Sequence, residues 1–207
     1  FRPSDDKCIY HYLIPSNLFA VKAIHDVLQI FPDIIGASKL ANDIEIGIQT
    51  YGTWTDEENI TRYCYEVDGL GGCNKMDDAN LPSLLSIPYF NKNNLHDPVW
   101  KNTYDWVWSH RNPYFYKGSA AEGIGSPHTP KNYIWPLSLV ARGLVDSSTT
   151  ASMIDVLNRT SANGKLHESF NKDNPKKYTR EDFSWPNMLI KEILFTENKF
   201  LERPEPH

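Results

Sequence analysis

Residues 16–51 have the sequence SNLFAVKAIHDVLQIFPDIIGASKLANDIEIGIQTY, in which apolar side chains recur every three or four positions. This spacing is typical of amphipathic helices. A first helix is predicted from a Ser16 N-cap to a stop signal at Phe31-Pro32-Asp33, and a second from about Asp33 to Tyr51-Gly52. Their apolar positions are Leu18, Val21, Ile24, Val27 and Leu28 in the first, and Ile34, Leu40, Ile44 and Ile48 in the second. The stretch therefore predicts an antiparallel helical hairpin.

The rest of the chain continues this mainly helical pattern. Further helices are predicted over 77–87, 97–109, 136–145, 149–163 and 185–195, the fourth of them closed by Asn163-Gly164. A strand is predicted over 61–67, and residues 112–130 are predicted to form a long ordered loop with a short strand. Helices in successive pairs indicate a mainly α domain. They fit either a toroid of helical hairpins or a plain bundle, and periodicity does not separate the two.

The composition is that of a globular protein. Of the 207 residues, 40% are hydrophobic and 13% aromatic, and the formal net charge is −5. A disordered chain would carry few aromatic residues and a larger net charge. The mild acidity argues against a nucleic-acid binder, and no run of about 18 apolar residues is present that would span a membrane.

The terminus and the cysteines bear on the cellular compartment. The chain begins at Phe1 without an initiator Met, so we expect that processing or truncation made this end and that any targeting segment lay upstream. Cys64 and Cys73 flank a Gly-rich turn and could bridge in an oxidising compartment, although buried free thiols are the favoured interpretation. Glycosylation sequons begin at Asn59 and Asn158. If they are used, the protein belongs to the secretory pathway; otherwise it is cytoplasmic.

Polar clusters lie in the predicted connections rather than on helix faces. They are Asp5-Asp6, Asp77-Asp78-Ala79-Asn80, Glu122, His128, His167-Glu168-Ser169 and Arg180-Glu181-Asp182. Aromatic residues such as Trp135 and Trp185 are interleaved with them. Carboxylates that orient hydroxyl groups, together with rings that pack on apolar sugar faces, make up a sugar pocket. Each cluster also has an ordinary explanation, because an acidic pair before a helix usually caps it and a single His usually belongs to hydrogen-bonded structure. HExxH and GxSxG are absent, which leaves no recognisable metal spacing and no nucleophile elbow.

Several long strings resemble glycoside hydrolase family 125. They are FRPSDD (1–6), YLIPSNLFA (12–20), DDANLPSLLSIPY (77–89), GSAAEGIGSPHTP (118–130), YIWPLSL (133–139), GKLHESF (164–170) and YTREDFSWPN (178–187). The resemblance implies an (α/α)6 toroid of helical hairpins and an exo-acting α-1,6-mannosidase that inverts the anomeric centre without a metal or other cofactor. Because the family's catalytic domains are roughly twice this length, residues 1–207 are expected to be the C-terminal portion of a single such domain.

The resemblance also implies roles for individual residues. The general acid is expected in RPSDD, as Asp5 or Asp6 with Asp6 favoured, and the general base is expected at Glu168 in HESF. In an inverting glycosidase the acid protonates the departing oxygen while the base activates water on the opposite ring face. Sugar-binding candidates from the matched strings are Arg2, Asp77, Asp78, Asn80, Glu122, His128, Trp135, Arg180, Asp182 and Trp185.

Two other functions remain open at this point. One is a non-catalytic mannoside-binding half-domain that needs a complementary N-terminal polypeptide for activity, such as the N-terminal half of the same domain as a separate chain. The other is an (α/α)6 glycosidase with a different sugar specificity, which would share the architecture but not these strings. For the α-1,6-mannosidase and for the mannoside-binding half-domain, the expected partner is a mannose-containing oligosaccharide or N-glycan.

Overall fold

The structure, a computed structural model, describes residues 2–201, with side chains described up to Phe195. The chain divides into two compact units, Phe1–Phe115 and Tyr116–His207. The helices of the first unit are α1 (Ile14–Ile30), α2 (Ala37–Tyr51), α3 (Ile87–Phe90) and α4 (Pro98–Val107), with a 3-10 helix over Lys92–His96. Its strands are β1 (Tyr12–Leu13), β2 (Thr53–Thr55), β3 (Thr61–Tyr63), β4 (Glu66–Val67) and β5 (Cys73–Asn74).

The second unit is built from three helices and five short strands among the described residues. The strands are β6 (Phe115–Lys117, beginning at the unit boundary), β7 (Glu122–Ile124), β8 (Tyr133–Ile134), β9 (Ser169–Asn171) and β10 (Tyr178–Thr179). The helices are α5 (Pro136–Val145), α6 (Thr150–Thr160) and α7 (Ser184–Leu201). The prediction of a mainly helical chain with short strands in the connections is confirmed. None of the described helices has the length and apolar character that crossing a membrane requires.

The predicted helical hairpin is confirmed as α1 packed on α2. Ile14, Val21 and Ile48 form its core together with Val67 of β4. Its ends differ from the prediction, because α1 starts at Ile14 with Leu13 as the N-cap, so Ser16 lies inside the helix. The second helix starts only at Ala37, after Gly36 adopts a left-handed φ of 80°.

The predicted helix over 77–87 is wrong. Only the single turn α3 is helical there; it begins at Ile87, where the predicted helix was to end, and contains Pro88. The amides of Leu84 and Leu85 donate to the carboxylate of Asp77, at 2.8 and 2.9 Å, instead of to backbone carbonyls. Ser83 and Ser86 also exchange side-chain and backbone hydrogen bonds. Local side-chain bonds of this kind compete with a helix.

The other predicted elements hold with changed bounds. Helices α4 and α5 lie where expected, and Asp97 caps α4 by accepting from Val99 N at 2.9 Å. The predicted strand over 61–67 is two strands in different sheets, β3 paired with β2 and β4 at the centre of the sheet β1-β4-β5. Helix α6 ends before Ser161, so Asn163-Gly164 does not cap it; both residues have positive φ (53° and 71°) in the tight turn that follows.

Cys64 and Cys73 form a disulfide, which corrects the favoured interpretation of free thiols. The bridge ties the segment before β4 to β5, and Val67 of β4 pairs with Cys73 in the sheet. Cys64 is fully buried in the core beneath the α1–α2 hairpin. A buried bridge is typical of proteins that fold in an oxidising environment.

Candidate functional site

The loop RPSDD forms a tight turn at the start of the first unit. The amide of Asp5 donates to Arg2 O at 2.9 Å, and the amide of Arg2 donates to Asp6 O at 2.8 Å. Asp5 is exposed and has a positive φ of 69°, a conformation that is costly for a non-glycine residue. The carboxylate of Asp6 is partly buried and accepts from Ser4 Oγ at 2.7 Å. The turn therefore fixes the orientation of Asp6 more closely than that of Asp5.

Arg2 is buried rather than displayed at the surface. Its Nε donates to Glu66 Oε1 at 2.6 Å, and the side chains of Arg2 and Glu66 are 5% and 0% exposed. Its guanidinium also lies 5.5 Å from the centre of the Tyr65 ring. Burial acts to lower the pKa of Arg2, but the hydrogen bond and charge of Glu66 outweigh it and raise that pKa. The predicted contact of Arg2 with sugar stays a prediction.

The acidic cluster at 77–80 is completely buried in the first unit. Both carboxylate oxygens of Asp77 accept from the backbone amides described above. Asp78 Oδ1 accepts from the backbone and side-chain amides of Asn80, at 3.0 and 2.8 Å. The charge of Asp78 also acts on Arg2, which places this cluster near the RPSDD loop. The structure thus brings together five of the predicted positions in this unit: Arg2, Asp6, Asp77, Asp78 and Asn80.

Two tyrosines lie in the same electrostatic environment. Burial raises the pKa of Tyr65 well above its ordinary value, and the charges of Asp78 and Asp77 raise it further. The buried Tyr65 hydroxyl has no hydrogen-bond partner among the described residues. Burial also raises the pKa of Tyr114, with Asp78 and Asp6 adding to the effect. A buried donor without a partner costs free energy, so the Tyr65 hydroxyl is a polar group of this cluster whose hydrogen bond is not supplied by the described residues.

The second unit presents Glu168 from the hairpin of β9 and β10. Glu168 directly precedes β9, and its amide donates to both Thr179 O and Arg180 O at 3.2 Å. Its side chain is 7% exposed and lies 3.3 Å from Nε of the largely exposed Arg180. Next to it, His167 Nδ1 donates to Glu181 O at 2.8 Å, and its ring stacks on Tyr178 with centroids 3.8 Å apart. Glu168 is therefore held by the hydrogen bonds of its backbone amide and by the contact of its carboxylate with Arg180.

The predicted aromatic residues of this unit differ in exposure. Trp135 is 1% exposed, donates from Nε1 to Thr129 Oγ1 at 2.8 Å and packs edge-on against Phe183. Trp185 is 44% exposed, and its ring centre lies 5.1 Å from that of Phe183. His128 is exposed and lies 6.2 Å from the Trp135 ring. Trp135 is therefore packed inside this unit, whereas part of the Trp185 ring is exposed.

Two further predicted positions are exposed or half-exposed members of ion pairs. Glu122 lies 2.7 Å from Lys117 Nζ. Asp182 lies 2.9 Å from Lys165 Nζ. Surface pairs of this kind contribute little to stability. The sugar contacts of Glu122, His128, Trp135, Arg180, Asp182 and Trp185 stay predictions.

The sequence interpretation missed Glu66, which nothing in the matched strings singles out. A signal was available, because a carboxylate inside the strand-like segment TRYCYEV is expensive to bury without a partner. Among the described residues, no group of three or more His, Cys, Asp and Glu side chains could hold a metal ion.

The buried carboxyl of Asp77 leads to a testable pH dependence. Burial raises the pKa of Asp77 to about 8 against the opposing backbone hydrogen bonds, from an ordinary value of 3.8. Because the pKa of Asp77 is higher in the folded state, the contribution of this group to the free energy of unfolding is complete below about pH 4 and is lost as the pH rises to about 8. We expect this group to lower the free energy of unfolding by up to about 1.4 kcal/mol per pH unit across that window.

Urea unfolding at pH 5, 6, 7 and 8 measures this effect. Asp77→Asn is expected to flatten the pH dependence, whereas the exposed Asp105→Asn should leave it unchanged. If the wild type and Asp77→Asn keep a constant stability difference from pH 5 to pH 8, the carboxyl does not titrate in this window.

Comparisons with known proteins identify the family. The family model for metal-independent α-mannosidases, glycoside hydrolase family 125, matches residues 1–195. The chain belongs to glycoside hydrolase family 125. The Meiotically up-regulated gene 157 protein of Schizosaccharomyces pombe is 39% identical to this family 125 chain over 217 residues, which cover 100% of the chain and 42% of that relative.

A solved family 125 structure shows the same fold. It is a metal-independent α-mannosidase from Streptococcus pneumoniae in a non-productive substrate complex with α-1,6-mannobiose. It matches with a TM-score of 0.90 and 41% identity over 95% of this chain and 49% of its own. Its fold is an (α/α)6 barrel, so the predicted fold class is confirmed. The chain spans about half the length of the relatives that it matches.

Proposed function

We propose that this chain carries the general acid and the general base of an exo-acting α-1,6-mannosidase that inverts the anomeric centre without a metal. The match to the α-mannosidase structure solved with α-1,6-mannobiose carries this proposal, because it extends over 95% of the chain at 41% identity. We further propose that residues 1–207 are the C-terminal portion of one (α/α)6 catalytic domain.

Glu168 suits the role of general base. Its side chain is almost completely buried, with Arg180 beside it, and its backbone amide is hydrogen-bonded to Thr179 O and Arg180 O. In the proposed reaction, a water oxygen attacks the anomeric carbon while Glu168 takes a proton from that water. The bond from the anomeric carbon to the glycosidic oxygen breaks, and the departing oxygen receives its proton from Asp6.

The buried cluster of the first unit suits recognition of sugar hydroxyl groups. Asp78 and Asn80 are proposed to meet the sugar, with the Tyr65 hydroxyl as an additional donor. The two oxygens of Asp77 accept backbone amides, so we propose that Asp77 braces this loop. Carboxylate and amide groups held rigidly in this way give orientation and specificity in a ligand site.

A panel of disaccharides tests the proposed activity. We expect mannose release from α-1,6-mannobiose, little or none from the α-1,2 and α-1,3 isomers, and no loss of rate after treatment with EDTA. Equal rates on the three linkages would contradict the linkage specificity, and inactivation by EDTA that added metal reverses would contradict the metal-independent mechanism.

A second candidate is a mannoside-binding half-domain that is inactive until a complementary N-terminal polypeptide joins it. Exposed apolar residues in the first unit favour it. The most exposed large apolar residues of the α1–α2 hairpin are Ile30 (72%), Phe31 (60%), Ile35 (100%), Leu40 (53%) and Ile46 (52%). A mainly apolar groove of about 460 Å³ also lies along these helices, between Asn17, Ile48 and Gly69. Exposed apolar surface of this kind is typical of a contact with another polypeptide.

Complementation separates the two candidates. The half-domain predicts that this chain alone binds mannobiose without turnover and gains activity when it is co-expressed with the N-terminal half of a family 125 protein. Turnover by this chain alone would contradict it.

A further inference from the structure

We propose that Glu66 is a positioning residue that holds the general-acid loop by both of its ends. This inference rests on the proposed role of Asp6, or of its neighbour Asp5, as the acid. Glu66 itself does not touch the reacting atoms.

Glu66 lies in the central strand of a three-stranded sheet. It lies in β4, the central strand of the sheet β1-β4-β5, opposite Leu13 on one side and Asn74 on the other. The side chain is 0% exposed. The disulfide between Cys64 and Cys73 ties the start of this strand to β5. A group anchored in this way can fix the position of whatever binds to it.

The two oxygens of this carboxylate bind opposite ends of one loop. Oε1 accepts from Arg2 Nε at 2.6 Å, before the acidic pair. Oε2 accepts from the backbone amide of Ile9 at 2.9 Å and from that of Tyr10 at 3.4 Å, after the pair. The side chain of Asn74 donates to the same oxygen at 3.1 Å, which orients the carboxylate.

Asp5 and Asp6 lie between these two anchored ends. Within the loop, Arg2 also receives and donates backbone hydrogen bonds, from Asp5 N and to Asp6 O. The hydrogen bonds of this one carboxylate therefore join the two ends of residues 2–10, so that the segment forms a closed ring around the acidic pair. This ring is what would maintain the unfavourable φ of 69° at Asp5.

The charge state of Glu66 suits this role. Burial acts to raise the pKa of Glu66, but the hydrogen bonds from Arg2 and Asn74 and the charge of Arg2 outweigh it, so the pKa is lowered. The group thus remains an anion that accepts all four hydrogen bonds. Glutamine at this position keeps the shape but replaces one acceptor oxygen by a donor.

Kinetics and amide exchange together test the proposal. On α-1,6-mannobiose, Glu66→Gln is expected to lower kcat by at least about tenfold with a much smaller change in KM, because a misplaced catalytic group slows the chemical step. Hydrogen exchange followed by mass spectrometry should show faster exchange in residues 2–10, with unchanged exchange in α4. The matched control is Glu57→Gln, an exposed carboxylate in the same unit, which should match the wild type in both measurements.

The outcomes separate the positioning role of Glu66 from the proposed function. Exchange in residues 2–10 that stays at the wild-type level in a folded Glu66→Gln protein overturns the positioning role, whatever the activity. Faster exchange with undiminished kcat also overturns it, because the loop would then not need to be held. A wild-type protein without mannobiose hydrolysis would contradict the proposed function, and the exchange experiment would still report on the loop.

A double variant separates the loss of loop positioning from a general loss of stability. Glu66→Gln leaves the buried Arg2 without its counter-ion, which by itself destabilises a protein. Arg2→Met combined with Glu66→Met removes both charges and keeps similar volume. This folded double variant should show the same fast exchange in residues 2–10 and the same loss of kcat; wild-type values for both would overturn the proposal.

Discussion

Glu168→Gln is expected to abolish most of the hydrolysis of α-1,6-mannobiose while binding of the disaccharide is retained. The amide has nearly the shape of the carboxylate but cannot accept a proton from water, so kcat should fall by about 10²–10⁴-fold. Because glutamine has nearly the volume of glutamate and the Glu168 amide is hydrogen-bonded to Thr179 O and Arg180 O, the substitution should leave the fold intact. Reducing-sugar release measures kcat, and titration calorimetry measures binding.

The matched control for this variant is Glu192→Gln, an exposed carboxylate of α7 in the same unit. It should keep wild-type kinetics. Turnover by Glu168→Gln within about threefold of the wild type, with the control behaving as expected, would show that the base is another residue.

Asp6→Asn is expected to lose a similar factor, but only on substrates whose leaving group needs a proton. On α-1,6-mannobiose kcat/KM should fall by about 10²–10⁴-fold. On an aryl α-mannoside with an acidic phenol as leaving group, the loss should be much smaller, because that phenolate departs without protonation. The structure favours Asp6 since Ser4 Oγ orients its carboxylate, whereas Asp5 is exposed.

Asp5→Asn is the adjacent comparison for this experiment. It should reduce kcat/KM less, and by a similar factor on both substrates, because its effect would be on the shape of the loop. If Asp5→Asn is the variant rescued by the better leaving group, the general acid is Asp5.

Some of the fold was predictable because single local signals decide it. The α1–α2 hairpin has a long apolar repeat interrupted by Pro32, and α5 has a proline in its first turn followed by consecutive buried residues. These signals act over one helix and need no tertiary partner. Helix ends were less predictable, since Leu13 rather than Ser16 occupies the N-cap of α1.

The segment 77–86 shows where local reasoning fails. Its apolar spacing fits a helix, but the carboxyl group of Asp77 accepts from amides seven and eight positions along the chain and draws the segment into a loop. A carboxylate that competes for backbone amides cannot be distinguished by periodicity from an ordinary N-cap. Asp77 is a sugar-binding candidate for a different reason, since it lies in the matched string DDANLPSLLSIPY, and that role stays a prediction.

The identity of the candidate catalytic residues could be predicted from the matched strings, but the contacts that hold those residues could not. The matched strings contain Asp6 and Glu168 as well as Ser4 and Arg180, and the structure adds the contacts of Ser4 with Asp6 and of Arg180 with Glu168. Glu66 lies outside those strings, and its role depends on long-range contacts with Arg2 and Ile9 that no local pattern records. The disulfide between Cys64 and Cys73 depends in the same way on the pairing of β4 with β5.

The configuration of the first mannose released tests the central claim most directly. Proton NMR of α-1,6-mannobiose hydrolysis, recorded before mutarotation, distinguishes the two anomers. If a buried Glu168 activates water opposite a departing oxygen that is protonated by the RPSDD loop, β-mannose is formed first. First formation of α-mannose would contradict this account, because it would require a covalent intermediate and a nucleophile in place of a general base.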